Sequence, residues 1–186
     1  TAEEKLWEVS LAYRLQGCLQ RAERERQVLS EEPVERACLY QKVLRYKGRV
    51  GDSALESIVC VFATDEETAR ACRAAATGRT EYCADLADPR TCQMLMVTAA
   101  CQGLRGDPEA YGRCVIDQAV RTGCATACLL VGKEGSPDED LRTVCVARVT
   151  GDVSRCRSVG SSFKAACCAS AKTQEDRRQC CSDLLE

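Results

Sequence analysis

Cysteine is the residue type in this chain that offers the most chemistry. The sequence of 186 residues contains 16 cysteines and no histidine. At this density, reduced thiols act as metal ligands and oxidised thiols form disulfides. The cysteines are Cys18, Cys38, Cys60, Cys72, Cys83, Cys92, Cys101, Cys114, Cys124, Cys128, Cys145, Cys156, Cys167, Cys168, Cys180 and Cys181.

The spacing of the cysteines favours disulfides over structural zinc. Zinc ligands usually come as Cys-x2-Cys pairs or as Cys/His mixtures, and neither pattern occurs here. Cysteines that are adjacent in sequence, such as Cys167 and Cys168, rarely bond to each other, so each is expected to reach a different partner. The absence of Cys-x-x-Cys also excludes the usual thioredoxin-type redox motif. We therefore expect all sixteen cysteines to form disulfides.

The residues that most hydrolases need are missing. Without histidine there is no Ser-His-Asp or Cys-His relay and no histidine-based zinc site. The acidic clusters at residues 138–140 and 175–176 lie at predicted helix starts, where helix capping explains them. Residues 132–135 lack the Gly-Lys-Ser/Thr ending of a phosphate loop. We expect no enzymatic activity, no catalytic residue, no cofactor and no metal site.

Charge and hydropathy restrict the partners. Lys+Arg 26 against Asp+Glu 28 leave a formal net charge of -2, which provides no strong long-range field for nucleic acid or an anionic membrane. The longest apolar stretch, residues 57–63, is much shorter than the roughly 20 residues that span a bilayer. The disulfides and the start at Thr1 without a leader are typical of a mature exported chain. We expect a secreted protein, or one from another oxidising extracytoplasmic compartment.

Helix signals extend along the whole chain, whereas strand signals are almost absent. A helix over residues 2–28 is predicted from one face with apolar residues at intervals of three and four: Trp7, Leu11, Leu15, Cys18 and Ala22. A second helix is predicted from Ser30–Pro33 to about Lys47. Further start signals occur at Thr64–Glu67, Asp88–Pro89, Asp107–Glu109, Ser136–Glu139 and Thr173–Asp176. With glycines such as Gly78 and Gly151 as stop signals, the pattern predicts about eight helices.

The cysteines also recur with a period of about 42 residues. Cys72, Cys114 and Cys156 are spaced by 42 and 42, and the flanks Val59–Val61 and Val144–Val146 match. We predict an all-α fold in which residues 1–186 form a single disulfide-rich domain, a disulfide-stapled array of short helical hairpins. Four degenerate repeat units are predicted, over residues 18–59, 60–100, 101–144 and 145–186.

Disulfides are expected to supply stability that packing alone does not. Aromatic residues make up only 4% of the chain, and helices below about 12–15 residues are marginal alone. Cys18 and Cys38 lie at similar distances on either side of the predicted turn near residues 28–31. We therefore expect them to bond across the first hairpin.

A rigid helical array without catalytic residues favours a role in binding or assembly. We expect a non-enzymatic, exported structural or binding protein that acts through its surface, with a protein partner or by self-assembly. An alternative is a protein that stores or binds cuprous ions, because soft thiolates select Cu(I) and a helix can present Cys124 and Cys128 at i and i+4.

A second alternative comes from the distances between cysteines. Ten residues separate Cys72 from Cys83, Cys145 from Cys156, and Cys156 from Cys167. These spacings resemble the arms of coiled-coil-helix–coiled-coil-helix proteins, in which two helices are joined by two disulfides. The resemblance implies an assembly subunit of the mitochondrial intermembrane space with paired-cysteine helical hairpins.

Overall fold

The computed structural model describes residues 1–29, 33–132, 139–169, 171–176 and 180. These residues confirm the all-α prediction, since their only β-type pairing is an isolated bridge between Lys47 and Val50. The α-helices are α1 (Ala2–Leu29), α2 (Pro33–Tyr46), α3 (Asp52–Ile58), α4 (Glu66–Thr77), α5 (Pro89–Cys101), α6 (Pro108–Thr122), α7 (Glu139–Thr150) and α8 (Ser161–Cys168). Shorter 3₁₀ helices comprise Cys60–Phe62, Thr80–Cys83, Gln102–Leu104, Ala125–Leu130 and Val153–Ser158. Across the described ranges, no helix has both the length and the apolar character that a membrane crossing requires.

The predicted helix starts agree with the structure wherever the residues are described. Asp65, Asp88 and Asp107 each precede a helix, and their carboxylates accept hydrogen bonds of 2.7–3.2 Å from backbone N–H groups of the first turn. The Thr173 hydroxyl likewise accepts from the backbone N–H of Asp176. Two predicted signals extend outside the described residues, at 30–32 and 136–138, but α2 and α7 begin directly after them.

The cap of α4 gives a stability prediction with a defined pH dependence. Partial burial acts to raise the pKa of Asp65, but hydrogen bonds from Thr68 and the Arg36 guanidinium outweigh it and hold that pKa below its ordinary value. The stabilisation by the carboxylate is therefore complete above the ordinary pKa of about 3.9 and is lost as the pH falls through the lowered value. We expect Asp65→Ala to lower the free energy of unfolding by about 1 kcal/mol near neutral pH.

Urea unfolding of wild type and Asp65→Ala, near neutral pH and in acid, measures this effect. The difference between the two proteins should shrink in acid. Asp65→Asn is the matched control, because it keeps a capping oxygen and removes only the charge facing Arg36. A loss in Asp65→Asn as large as that in Asp65→Ala would contradict the capping role.

The chain folds into two compact units, Thr1–Gly103 and Leu104–Glu186. The sequence predicts one disulfide-rich domain over residues 1–186 containing four repeats, and the single-domain organisation stays a prediction. The boundary between the units lies close to the predicted repeat boundary at residues 100–101. The four-repeat organisation itself stays a prediction.

In the first unit, α1 packs on α2 and α3, and α4 packs on α2, α3 and α5. The core residues of α1 include Leu11 and Leu15, which are 0% and 1% exposed, as the predicted helix face requires. They belong to one cluster with buried residues of the next helices, among them Leu39, Val43, Tyr46 and Leu55. Helix α4 contributes mainly small side chains to this core: Ala71, Cys72, Ala74, Ala75 and Ala76.

In the second unit, α6 packs on α7 and on the 3₁₀ helix Ala125–Leu130, and α7 packs on α8. One apolar cluster of this unit contains several cysteines: Val144, Ala147, Cys156, Val159, Cys167 and Cys168. Helix α7 ends at Thr150 and is followed by Gly151, whose φ of 75° lies in the left-handed region that glycine adopts without strain. The disulfides of this unit thus form part of its core.

Candidate functional site

Disulfides connect successive helical segments within each unit. The pairs whose bonds the structure defines have Cα atoms 5.5–6.1 Å apart, the usual distance for a disulfide: Cys18–Cys38, Cys60–Cys72, Cys83–Cys92, Cys128–Cys145, Cys156–Cys167 and Cys168–Cys180. Cys101 and Cys114 are also disulfide-bonded. The predicted bond between Cys18 and Cys38 is therefore present. The adjacent cysteines 167 and 168 reach different partners, as expected.

The pairing of two cysteines is not defined. Among the described residues Cys124 is buried and has no disulfide partner, and Cys181 lies outside those residues, so the pairing of all sixteen cysteines stays a prediction. The pairings also differ between positions that the 42-residue period equates. Cys60 bonds to Cys72, whereas Cys145 bonds to Cys128.

The geometry behind the cuprous-ion alternative is not present in the described residues. Cys124 precedes the 3₁₀ helix Ala125–Leu130, and with three residues per turn positions i and i+4 do not share a face. Cys128 is also held in its bond to Cys145. Elsewhere the sulfurs of Cys156, Cys168 and Cys180 lie within 4.8 Å of one another, but all three belong to disulfides. A disulfide sulfur lacks the thiolate charge that binds metal.

The bonding also differs from the paired-arm pattern. Two helices joined by two disulfides require bonds between the arms, but Cys156 and Cys167 bond to each other within one arm. Cys72 and Cys83, the ends of another arm, bond to Cys60 and Cys92. The similarity to coiled-coil-helix–coiled-coil-helix proteins is thus one of spacing and does not extend to the connectivity.

The acidic clusters have structural contacts where they are described. Asp140 accepts a hydrogen bond of 3.0 Å from the backbone N–H of Gly160, which connects the start of α7 to the start of α8. Asp176 accepts from the Thr173 hydroxyl at 2.6 Å. The reciprocal Thr173–Asp176 contacts agree with the capping interpretation of the second cluster, whereas the Asp140 contact is a tertiary contact between two helices.

An apolar groove lies beside α1. Its volume is about 820 Å³, within the range of sites that accept large ligands or several side chains of a partner. Helix α1 forms one wall and residues 57–64 the other, and Glu35 of α2 also lines the groove. We call this the α1–α3 groove, lined by Ala12, Leu15, Gln16, Leu19, Gln20, Ala22, Glu23, Glu35, Ser57, Ile58, Val61, Phe62 and Thr64.

The apolar side chains of the groove remain accessible. Leu15 and Ala22 form its buried floor, whereas Val61 and Phe62 are 59% and 49% exposed. An exposed aromatic ring next to an apolar floor is unfavourable in water, and such surfaces mark interaction sites. The groove therefore offers apolar area that a partner could bury.

Two disulfides hold the walls of the groove. Cys18–Cys38 fastens α1 to α2. Cys60–Cys72 fastens the 3₁₀ helix that carries Val61 and Phe62 to α4. Because both walls are covalently tied to the first unit's core, the groove exists before any partner binds, which reduces the ordering cost of association.

The electrostatic character of the groove is acidic. Among the described residues that line it, Glu23 and Glu35 are the charged ones, and none is a lysine or arginine. The outer face of α1 continues the apolar surface, since Leu6, Val9 and Tyr13 are 70%, 68% and 79% exposed at helical spacing. The accessible apolar surface thus extends beyond the groove along α1.

The sequence alone does not predict this groove. The apolar spacing on α1 predicts the buried face of the helix. A second apolar stripe, with Leu6, Val9 and Tyr13, is the sequence signal that indicates an interaction surface. Val61 and Phe62 lie in a short apolar stretch that is equally typical of a core. No protein-family model matches the chain, and neither a curated protein nor a solved structure is significantly similar to it.

Proposed function

We propose that this protein is a non-enzymatic binding protein whose α1–α3 groove receives an amphipathic helix from a protein partner. The observation that carries the proposal is the exposure of Val61 and Phe62 beside an apolar groove of about 820 Å³. Helix-in-groove recognition requires a preformed apolar channel between helices, which is the arrangement here.

The chemistry of the groove specifies the occupant. An amphipathic helix presents apolar side chains at i, i+3, i+4 and i+7, which can fill the space between α1 and residues 57–64. Glu35 favours a lysine or arginine on the flank of that helix and disfavours an acidic one. The proposed partner segment is therefore apolar on one face and basic at its edge.

The disulfides support an exported location for this activity. Bonds of this number form and persist in oxidising compartments and are rare where thiols are kept reduced. We propose that the protein acts outside the cytosol, as a secreted protein or in another oxidising extracytoplasmic compartment. The absence of histidine from the chain supports a role without catalysis.

Selection of binders from a random peptide library displayed on phage tests the groove even though the natural partner is unidentified. We expect enriched peptides to carry apolar residues at helical spacing with basic flanks. Phe62→Glu should weaken the binding of these peptides at least roughly tenfold. The substitution removes an aromatic side chain that contacts the peptide, and the new carboxylate would lose its water to the apolar face of the bound peptide. Fluorescence anisotropy with the purified peptides measures the affinities.

Leu129→Glu is the matched control, because Leu129 is 61% exposed and lies in the second unit. This variant should bind the selected peptides as wild type does. Peptides that bind Phe62→Glu and wild type equally well, or a library that yields no helical binders, would contradict the proposed groove function.

A further inference from the structure

A second concave surface lies along α1 and α2, is open to solvent, and shares Gln16 and Gln20 with the lining of the groove. Its volume is about 530 Å³. The described residues of its lining include arginine, lysine, glutamine and tyrosine side chains and no carboxylate. We call it the basic cavity, lined by Tyr13, Arg14, Gln16, Gly17, Gln20, Arg21, Lys42 and Arg45.

Helix geometry brings four cations to this cavity. Arg14 and Arg21 are seven residues apart on α1, which places them on one face, two turns apart. Lys42 and Arg45 are three residues apart on α2, which is tied to α1 by the Cys18–Cys38 bond. In a chain whose formal net charge is -2, this is a local concentration of positive charge.

The four cations have no carboxylate partner among the described side chains. In the part of the chain that the structure describes, none of the four forms an ion pair. Burial lowers the pKa of Lys42, and the charges of Arg45, Arg14 and Arg21 lower it further. The ammonium group of Lys42 is thus repelled by the positive charges of the three guanidinium groups. An anion bound among the four cations would reduce this repulsion.

We infer that the basic cavity binds a small polyanion that carries two or more phosphate or sulfate groups. Guanidinium groups pair with tetrahedral oxyanions through two parallel N–H···O bonds, and the lysine ammonium adds a point charge. The Gln16 and Gln20 amides and the Tyr13 hydroxyl can donate further hydrogen bonds. Since the volume is larger than one oxyanion requires and four cations line it, a ligand with several charges fits better than a single inorganic ion.

Calorimetric titration with tripolyphosphate and with sucrose octasulfate tests this site and separates the two sources of oxyanion. We expect saturable binding of at least one of them, with one molecule bound per chain and with weaker binding of inorganic phosphate. The double variant Lys42→Gln/Arg45→Gln should bind at least about tenfold more weakly. Raising the salt from about 50 mM to about 200 mM should weaken wild-type binding more than binding by this variant.

The matched control is Arg79→Gln/Arg105→Gln, which removes the same charge from exposed positions outside the cavity. This control should retain wild-type affinity. An equal loss of polyanion affinity in both double variants would show that the overall charge of the protein determines binding, and it would overturn the proposed site. The absence of saturable binding to the wild-type protein would also overturn it. Circular dichroism of each variant establishes that the fold is kept.

Acylation of Lys42 provides an independent readout in the wild-type protein. The lowered pKa leaves more of this amine uncharged and reactive. A bound polyanion should slow the acylation of Lys42 at least about threefold, because it covers the amine and raises the pKa of the amine. Lys172 in the second unit is the control and should react at an unchanged rate. Mass spectrometry of proteolytic peptides measures both rates, and unchanged acylation of Lys42 at saturating ligand would place the anion elsewhere.

Discussion

Reduction of the disulfides is expected to unfold the first unit and to abolish its cooperative thermal transition. The bonds Cys18–Cys38, Cys60–Cys72 and Cys83–Cys92 close loops with sequence separations of 20, 12 and 9 residues. Each native bond typically contributes about 2–4 kcal/mol by restricting the unfolded chain. Their combined loss is comparable to the whole stability of a small domain, about 5–15 kcal/mol.

The experiment compares two samples unfolded in denaturant and returned to native buffer, one of them with excess dithiol throughout. Far-UV circular dichroism during heating should show a cooperative transition only in the oxidised sample, because short helices without packing are marginal in water. A reduced sample that regains the helical signal and melts cooperatively would show that packing alone maintains the fold.

The second large effect is expected at the junction of α1 and α2. The Tyr46 ring is 1% exposed and meets the Trp7 ring edge-on, with the ring centroids 6.2 Å apart. Tyr46→Ala leaves a cavity of nearly a whole ring, and such changes typically cost about 3–5 kcal/mol. We expect the free energy of unfolding to fall by that amount.

Tyr46→Phe is the matched variant. It removes only the hydroxyl, whose contact with the Ser10 hydroxyl is 3.4 Å long, so the expected loss is below about 1 kcal/mol. Urea unfolding followed by the fluorescence of Trp7, the chain's only tryptophan, reports on this contact directly. Equal stabilities of Tyr46→Ala and wild type would contradict the assigned core.

Much of the helical architecture could be predicted from local signals. The start of α4 is an example. Asp65 accepts a hydrogen bond from a free N–H group of the first turn, and the acidic residues that follow it interact favourably with the helix dipole. Neither effect needs a tertiary contact. The burial of Leu11 and Leu15 follows from their spacing on α1. The Cys18–Cys38 bond also depends on local topology, since a hairpin brings its two arms together.

The remaining pairings depend on tertiary structure. Cys145 resembles Cys60 in its flanking valines, but it bonds to Cys128 because α7 packs against the 3₁₀ helix Ala125–Leu130. The 3₁₀ form of that segment also removes the helical spacing of Cys124 and Cys128 on which the cuprous-ion hypothesis depended. Neither feature has a distinctive sequence signal.

The candidate binding surfaces were also beyond sequence reasoning. Val61 and Phe62 are apolar and follow a cysteine, a pattern typical of core residues, and only the packing of residues 57–64 beside α1 leaves them exposed. The cluster of Arg14, Arg21, Lys42 and Arg45 likewise depends on the packing of α1 on α2, for which the sequence has no local signal.

Peptide mapping of the unreduced protein, purified from its native source and alkylated in denaturant, tests most directly whether disulfides fix the walls of the groove. The structure predicts linked peptides containing Cys18 with Cys38 and Cys60 with Cys72, and no alkylation of these four residues until reductant is added. Alkylation of these cysteines before reduction, or bonds from them to other partners, would contradict a groove held by disulfides.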